Sequence, residues 1–348
     1  PFSHLISYGL KPEERRIYEA APREIGDVYH QCLMELTKAL TQEGVDITDS
    51  ASPWMTVTRK ECDQIVERKI TEIGESYRDG LFKDSNLEVY RGQRVLDICR
   101  QVCWTVVEQV RAGVIKSIQP EVSFGRRGQL APIEIHLDDK KVFIEGIIDR
   151  VDYLDDDRVK IIDYKTGNEA FDIDEAAAGY RLQLMLYLQA ACDNRKKPAG
   201  VFYFKIKDPV VDFSYKDVDE EALEKEIRKS FKLDGIMVDD PEVIHGIAGE
   251  FEGFSEIVPI KNTKEGVKNT GKEGLLTEEE FEKLQEVVGE KVKELCRDLT
   301  DGKIDVHPMK TKERSACTYC SYKGICRFDT AFEGCSYNII KRSEAKKS

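Results

Sequence analysis

The chain has 348 residues, 41% hydrophobic and 34% charged, with a formal net charge of −13. That length suffices for one large or two modest cores, and the apolar fraction excludes a disordered chain. The acidic balance argues against a broad nonspecific nucleic-acid surface, though not against a local basic channel, and no apolar run is long enough to span a membrane. The sequence opens at Pro1 without a methionine, so a piece of a larger cytoplasmic protein is expected. Ten cysteines in a chain this long do not suggest a disulfide framework. Clustered ones suggest metal, scattered ones core.

Pro1–Leu10 is short and carries aromatics, and charged residues follow. Ile25, Val28, Tyr29, Cys32, Leu33, Leu36 and Leu40 recur at helical spacing. His30 lies on this helix one turn after Gly26, which leaves space beside the imidazole. It is either a metal ligand or an ordinary histidine beside an apolar stripe. Residues 41–118 read as mainly helical, with helices over Arg59–Tyr77 and Arg91–Ala112. Cys62, Cys99, Cys103 and Trp104 are expected to pack in the core.

Strands follow at Pro120–Phe124, Ile133–Leu137 and Val142–Ile148, with a turn at Asp138-Asp139. Glu121 is either a ladder-edge carboxylate or a site acid. The acidic tripeptide Asp155–Asp157 suits a hairpin turn leading to a strand over Val159–Tyr164. Asp149 closes the first arm of this hairpin and Asp163-Tyr164-Lys165 the second. Strand side chains alternate, so Asp163 and Lys165 share a face. Two acids and a lysine converging there suit a divalent-cation site, and a solvated hairpin rim has the same composition. A helix over Asp174–Cys192 places Gln183 and Tyr187 on one flank, either toward a substrate or at the core boundary. The strand Val201–Ile206 completes a mixed sheet with helices around it.

Residues 208–275 read as charged and irregular. Gly266-Val-Lys-Asn-Thr-Gly-Lys-Glu273 imitates a phosphate-binding loop, but Glu273 stands where Ser or Thr would meet magnesium and no apolar strand leads in. An ATP site is therefore not expected. Leu276–Leu299 is amphipathic. Near the end, Cys317, Cys320 and Cys326 have the spacing C-x2-C-x5-C, which needs one further ligand to complete a zinc or iron–sulfur site. Local sequence does not choose between the metals. Cys335, Cys32 and Cys296 are in-chain candidates for the fourth ligand, none at a typical spacing.

GIIDRVD at 146–152, DYKTG at 163–167, QLMLY at 183–187 and Gly26-Asp-Val-Tyr-His30 together resemble the RecB-type nuclease branch of the PD-(D/E)XK superfamily. The C-terminal cysteines are similar to those of its iron–sulfur members. Within these, the opening PFSHLISYGLK, the helical insertion, KSFKLDG ending at Gly235 and CTYCSYKGICRFD resemble the AddB group of bacterial helicase–nucleases more than the small CRISPR-adaptation exonucleases.

The resemblance implies an α/β, restriction-endonuclease-like mixed sheet flanked by helices. It implies a single nuclease domain over 1–348, with a helical insertion at 41–118, a catalytic sheet at 119–207, an irregular insertion at 208–275 and a cluster-binding segment at 276–335. It assigns Mg2+ (or Mn2+) to His30, Asp149, Asp163 and the Tyr164 carbonyl, with Glu121 in support. Lys165 joins the two aspartates in catalysis, and Gln183 and Tyr187 bind substrate. A [4Fe–4S] cluster would use Cys317, Cys320, Cys326 and a cysteine just upstream of Pro1. The implied activity is a DNA exonuclease working on single-stranded DNA at double-strand ends, beside an AddA-type partner. Other readings are a DNA-binding scaffold without catalysis and a zinc-stapled interaction domain.

Overall fold

The computed structural model describes residue 9 and residues 22–76, 86–192, 196–209, 220–311, 314–318 and 320–340. The opening PFSHLISYGLK, apart from Gly9, the end of the expected helix at Tyr77, and Tyr319 within the cysteine motif lie outside them.

Three long helices cover one part of the core. α1 (Pro22–Leu40) buries Val28, Tyr29, Cys32, Leu33, Leu36 and Leu40 along one stripe. α2 (Pro53–Thr56) is a single turn capped by Ser52. α3 (Arg59–Ser76) and α4 (Asn86–Ala112) both pack on α1. Cys62, Cys99 and Cys103 lie in this interface at 0–2% exposure, as packing residues. The indole that fills the core is Trp54, wholly buried. Trp104 packs against the edge of the core, partly buried, with the guanidiniums of Arg59 and Arg111 over its ring.

The strands are β1 (Ser117–Phe124), β2 (Ile133–His136), β3 (Lys141–Ile144), β4 (Gly146–Tyr153) and β5 (Arg158–Lys165). The run expected as one strand over Val142–Ile148 divides at Glu145: β3 pairs with β2 in a separate hairpin, while β4 enters the main sheet. Glu145 supports the junction by accepting from the backbone N–H of Arg126.

The expected helix Asp174–Cys192 also divides, into α5 (Ile173–Ala177) and α6 (Gln183–Ala191). Gly179 and Arg181 between them have φ of 88° and 61°, which no helix tolerates. A Cβ at Gly179 would stand 3.0 Å from Lys291 Cγ, so glycine permits both the turn and the close approach.

β6 (Lys197–Lys205) runs parallel to β5, the two being joined by the crossover through α5 and α6. Residues 208–275 correct the expectation of irregular structure. They hold α7 (Glu220–Ser230), β7 (Asp234–Val238), α8 (Pro241–Ala248), the hairpin β8 (Ile260–Thr263) and β9 (Gly266–Asn269), and the start of β10 (Leu275–Leu276). Their strands are short and their surroundings charged, so periodicity was weak; β7 and β10 nonetheless extend the main sheet. The phosphate-loop imitation is largely β9 and the turn after it. α9 (Glu278–Thr300) begins with a capping box between Thr277 and Glu280. Beyond it come β11 (Met309–Lys310), the one-turn α10 (Lys323–Cys326) and β12 (Asn338–Ile339).

The main sheet has the order β1-β4-β5-β6-β7-β10, with β5/β6 and β7/β10 parallel and its other pairs antiparallel. β5 and β6 are buried along almost their whole length, which explains the unbroken apolar run Ala199–Phe204 of β6. Within this core lies a buried ionic group. Arg150 Nε and Nη2 donate to Asp152 at 2.6 and 2.8 Å, and Lys160 Nζ is 2.7 Å from the same carboxylate. All three are under 4% exposed, and Asp152 and Lys160 face each other across β4 and β5.

Candidate active site

The site forms where α1 meets the middle of β4 and the end of β5. His30 Nδ1 lies 3.4 Å from Asp149 Oδ1. Asp149 Oδ2 accepts from the Tyr164 backbone N–H at 2.7 Å, locking β4 to β5 at this point. The His30 ring meets the Tyr164 ring edge-on, with centroids 5.7 Å apart. Gly26 lies one turn before His30. A Cβ there would stand 3.8 Å from Thr166 Oγ1, an ordinary contact, so this glycine opens space and relieves no clash.

Asp163 and Lys165 share a face, as alternation requires, with Lys165 Nζ 2.5 Å from Asp163 Oδ2. Lys165 Nζ also donates to Gln183 Oε1 at 2.8 Å, and Gln183 Nε2 donates to Tyr187 Oη at 2.7 Å. Gln183 and Tyr187 are therefore joined to the lysine by hydrogen bonds, and both are half-buried at the edge of the core. Glu121 lies opposite Asp149 on the neighbouring edge strand, between the pairs Pro120–Arg150 and Val122–Ile148. Its φ of 50° is left-handed, a strained conformation for a residue with a Cβ. The strand is irregular at the point where its acid joins the site.

The charges are mutually perturbed. Burial pushes the Asp163 carboxyl up to about 6; the charge of Asp149 reinforces this, and Lys165 and His30 oppose it. Burial and then Asp149 also raise Glu121. For His30, burial acts downward, but the hydrogen bond and charge of Asp149, with Asp163 behind, outweigh it and hold the imidazole above its ordinary value. Burial brings Tyr187 up to about 12, so its hydroxyl stays protonated.

Three acids crowded around one histidine and one lysine carry excess negative charge that a cation would relieve. Asp163 Oδ2 is buried, and the Lys165 ammonium lies 2.5 Å from it, the close cation that partly offsets its burial. The hard carboxylate oxygens of Asp149 and Asp163, with the excess of acids around them, fit a divalent cation. Among the described residues, no three His, Cys, Asp or Glu side chains are drawn together tightly enough to cage an ion as they stand.

The C-terminal cysteines are partly exposed free thiols. Burial and then the nearby Cys320 and Cys326 raise the Cys317 thiol, so the three are within electrostatic reach of one another. Cys32 is buried against Cys103, with sulfurs 3.9 Å apart, and Cys296 is buried on α9. Both are committed to helix packing. Residues that sequence reasoning passed over are Glu175 and Arg181, which frame the turn leading into Gln183. The left-handed Arg181 had no sequence signal, since only tertiary packing imposes it.

A mixed sheet carrying two aspartates and a lysine on adjacent strands defines the class. The sequence profile of the PD-(D/E)XK nuclease superfamily matches residues 1–327, and the chain belongs to this superfamily. It is similar to an ATP-dependent helicase/deoxyribonuclease subunit of Alkaliphilus oremlandii, at 35% identity over 98% of this chain and 30% of that protein. The proteins of the same name from Thermoanaerobacter sp. (strain X514) and Clostridium novyi are 32% and 33% identical, over 100% and 99% of this chain and 30% of each relative. The chain thus spans about a third of the length of these curated relatives. Among the described residues no helix is long and apolar enough to cross a membrane.

Proposed function

We propose that this chain is a metal-dependent deoxyribonuclease domain that hydrolyses phosphodiester bonds of single-stranded DNA within a helicase–nuclease processing double-strand breaks. The observation that carries the reading is Asp163: a buried carboxyl raised by its burial and by Asp149, with the Lys165 ammonium against it and His30 behind Asp149. The three relatives are named as helicase/deoxyribonuclease subunits. Those names support a partner subunit in a complex acting on DNA. The motif resemblance in the sequence adds that the partner is an AddA-type subunit, that substrate enters from DNA ends and that the ATP-driven motor lies outside this chain.

Asp149, Asp163, His30 and the Tyr164 carbonyl would hold Mg2+, with Glu121 in support; the imidazole makes Mn2+ acceptable too. Bound there, the cation supplies Lewis acidity toward phosphate and lowers the pKa of a bound water. The chain's own groups do the positioning. Lys165, steered by Gln183 Oε1, offers positive charge to the phosphate oxygens as negative charge develops. Tyr187 fixes Gln183 and presents a protonated hydroxyl to the DNA strand. Cys317, Cys320 and Cys326 would hold an iron–sulfur cluster with an upstream cysteine as fourth ligand.

The test is cation-dependent degradation of end-labelled single-stranded DNA by the wild type, Asp163→Ala and Lys165→Ala, with circular dichroism to verify folding. Wild-type rates in either variant would refute the assignment. For the cluster, iron and sulfide are quantified, with visible absorbance, on this chain and on one extended upstream. Full loading of the short chain would remove the need for an upstream ligand.

A further inference from the structure

The cysteine-bearing C-terminal segment touches the catalytic core through a buried carboxylate that the proposed chemistry does not use. Glu175, on α5, has a side chain only 5% exposed. Arg314 Nη2, three residues before Cys317, donates to both its oxygens at 3.3 Å. Arg181 Nε approaches the same carboxylate at 3.4 Å. Two guanidiniums from segments far apart in sequence therefore share one buried acid.

What Glu175 holds matters because of where Arg181 lies. Its left-handed backbone ends the turn after α5, and Gln183 begins α6 two residues later. The turn is tied down at several points. Tyr180 N–H donates to the Glu175 carbonyl at 2.8 Å, and Arg181 Nη1 donates to the Ala170 carbonyl at 3.3 Å. α5 is anchored in turn by Asp172, which caps it and pairs with Lys272. Gln183 then accepts from Lys165. A strained turn persists only where its surroundings over-determine it, and Arg314 and Arg181 converging on Glu175 supply that constraint.

We propose that Arg314 is a positioning residue for Lys165, acting through Glu175 and Arg181 on the start of α6. The order of the cysteine segment thereby sets the geometry of the lysine–glutamine pair. The proposal rests on the reading of Lys165 as catalytic. It differs from that reading in naming the segment that controls the lysine.

The experiment uses the chain with Arg314→Ala, Arg314→Lys and the near-isosteric Glu175→Gln, with two readouts. Amide hydrogen exchange is followed across the fold, and kcat and KM for single-stranded DNA cleavage are measured with Mg2+. In Arg314→Ala, exchange should quicken over residues 180–187 while β4 and α4 keep wild-type protection. kcat should fall by roughly ten- to a hundredfold with KM little changed, the signature of misplacement and not of lost binding. Arg314→Lys should recover part of both effects. If Arg314→Ala does not fold, the same changes are read in Glu175→Gln. Unchanged exchange over 180–187, loosening spread through the whole fold, or altered exchange with unchanged kcat would each overturn the proposal. A wild-type chain that cleaves no DNA would instead defeat the nuclease reading, and the exchange measurement alone would then decide the coupling.

Discussion

Asp163 shows how a site can be built at the expense of stability. Its carboxyl is raised in the folded state, so the protonated form favours folding. That contribution is complete below the ordinary aspartate range and is lost as pH rises through about 6. At neutral pH the ionised Asp163 therefore weakens the metal-free fold. Asp163→Asn is expected to stabilise the chain in EDTA by roughly 1–3 kcal/mol while abolishing cleavage. Thermal melts with and without Mg2+ check this, and the wild type alone should gain stability from the ion. Lys165→Ala is expected to slow single-turnover cleavage by about 10²–10⁴-fold and to lower the melting temperature at neutral pH, since buried Asp163 loses its ammonium partner. His30 also stands above its ordinary value, and both groups must shed protons to ligate a cation. Cation affinity, measured by titration calorimetry, is expected to rise with pH from about 6 to 8.

Strands β1, β4 and β5 supply most of the site and carry two devices of opposite kind. The left-handed Glu121 stores strain on the edge strand. Glu121→Gly is expected to raise stability by roughly 1 kcal/mol and Glu121→Ala not to, since only glycine removes the Cβ conflict; both should reduce cleavage. Beneath the sheet, Asp152 holds Arg150 and Lys160. Burial alone would raise its carboxyl, but the two cations hold it below the usual range. Its stabilising contribution is present above that range and fades in acid. Asp152→Asn leaves two cations buried without an anion and is expected to cost about 3–5 kcal/mol in urea unfolding. The Tyr164 side chain lies within electrostatic reach of Arg150, so the same network underlies the strand that positions Asp149.

Across the chain, the sheet and the helices α1, α3 and α4 enclose a continuous apolar core. The segment after α9 is built otherwise. Ile304, Ile325, Phe332 and Ile339 are more than half exposed, and among its described residues regular structure is limited to a single turn and two-residue strands. Little apolar burial holds it, so bound metal and the Arg314–Glu175 contact would supply its order. Limited proteolysis is expected to cut within residues 303–340 first, faster in Cys317→Ser than in an iron-loaded parent. Equal rates would argue against a cluster there.

Much of the site was legible in the sequence because it depends on local rules. Alternation along a strand put Asp163 and Lys165 on one face, helical spacing put Gln183 beside Tyr187, and Ile- and Val-rich runs marked the buried strands. The meeting of His30 with Asp149, more than a hundred residues apart, depends on how α1 packs across the sheet, and no spacing encodes that. The same holds for the breaks at Glu145 and at Gly179–Arg181, where apolar periodicity continues while the backbone turns. It holds too for β7 and β10, whose short strands gain stability only from pairing with the sheet. Residue types and their local order determined the chemistry available. Long-range packing alone decided which acids would be buried against His30 and Lys165, and so where the candidate site lies.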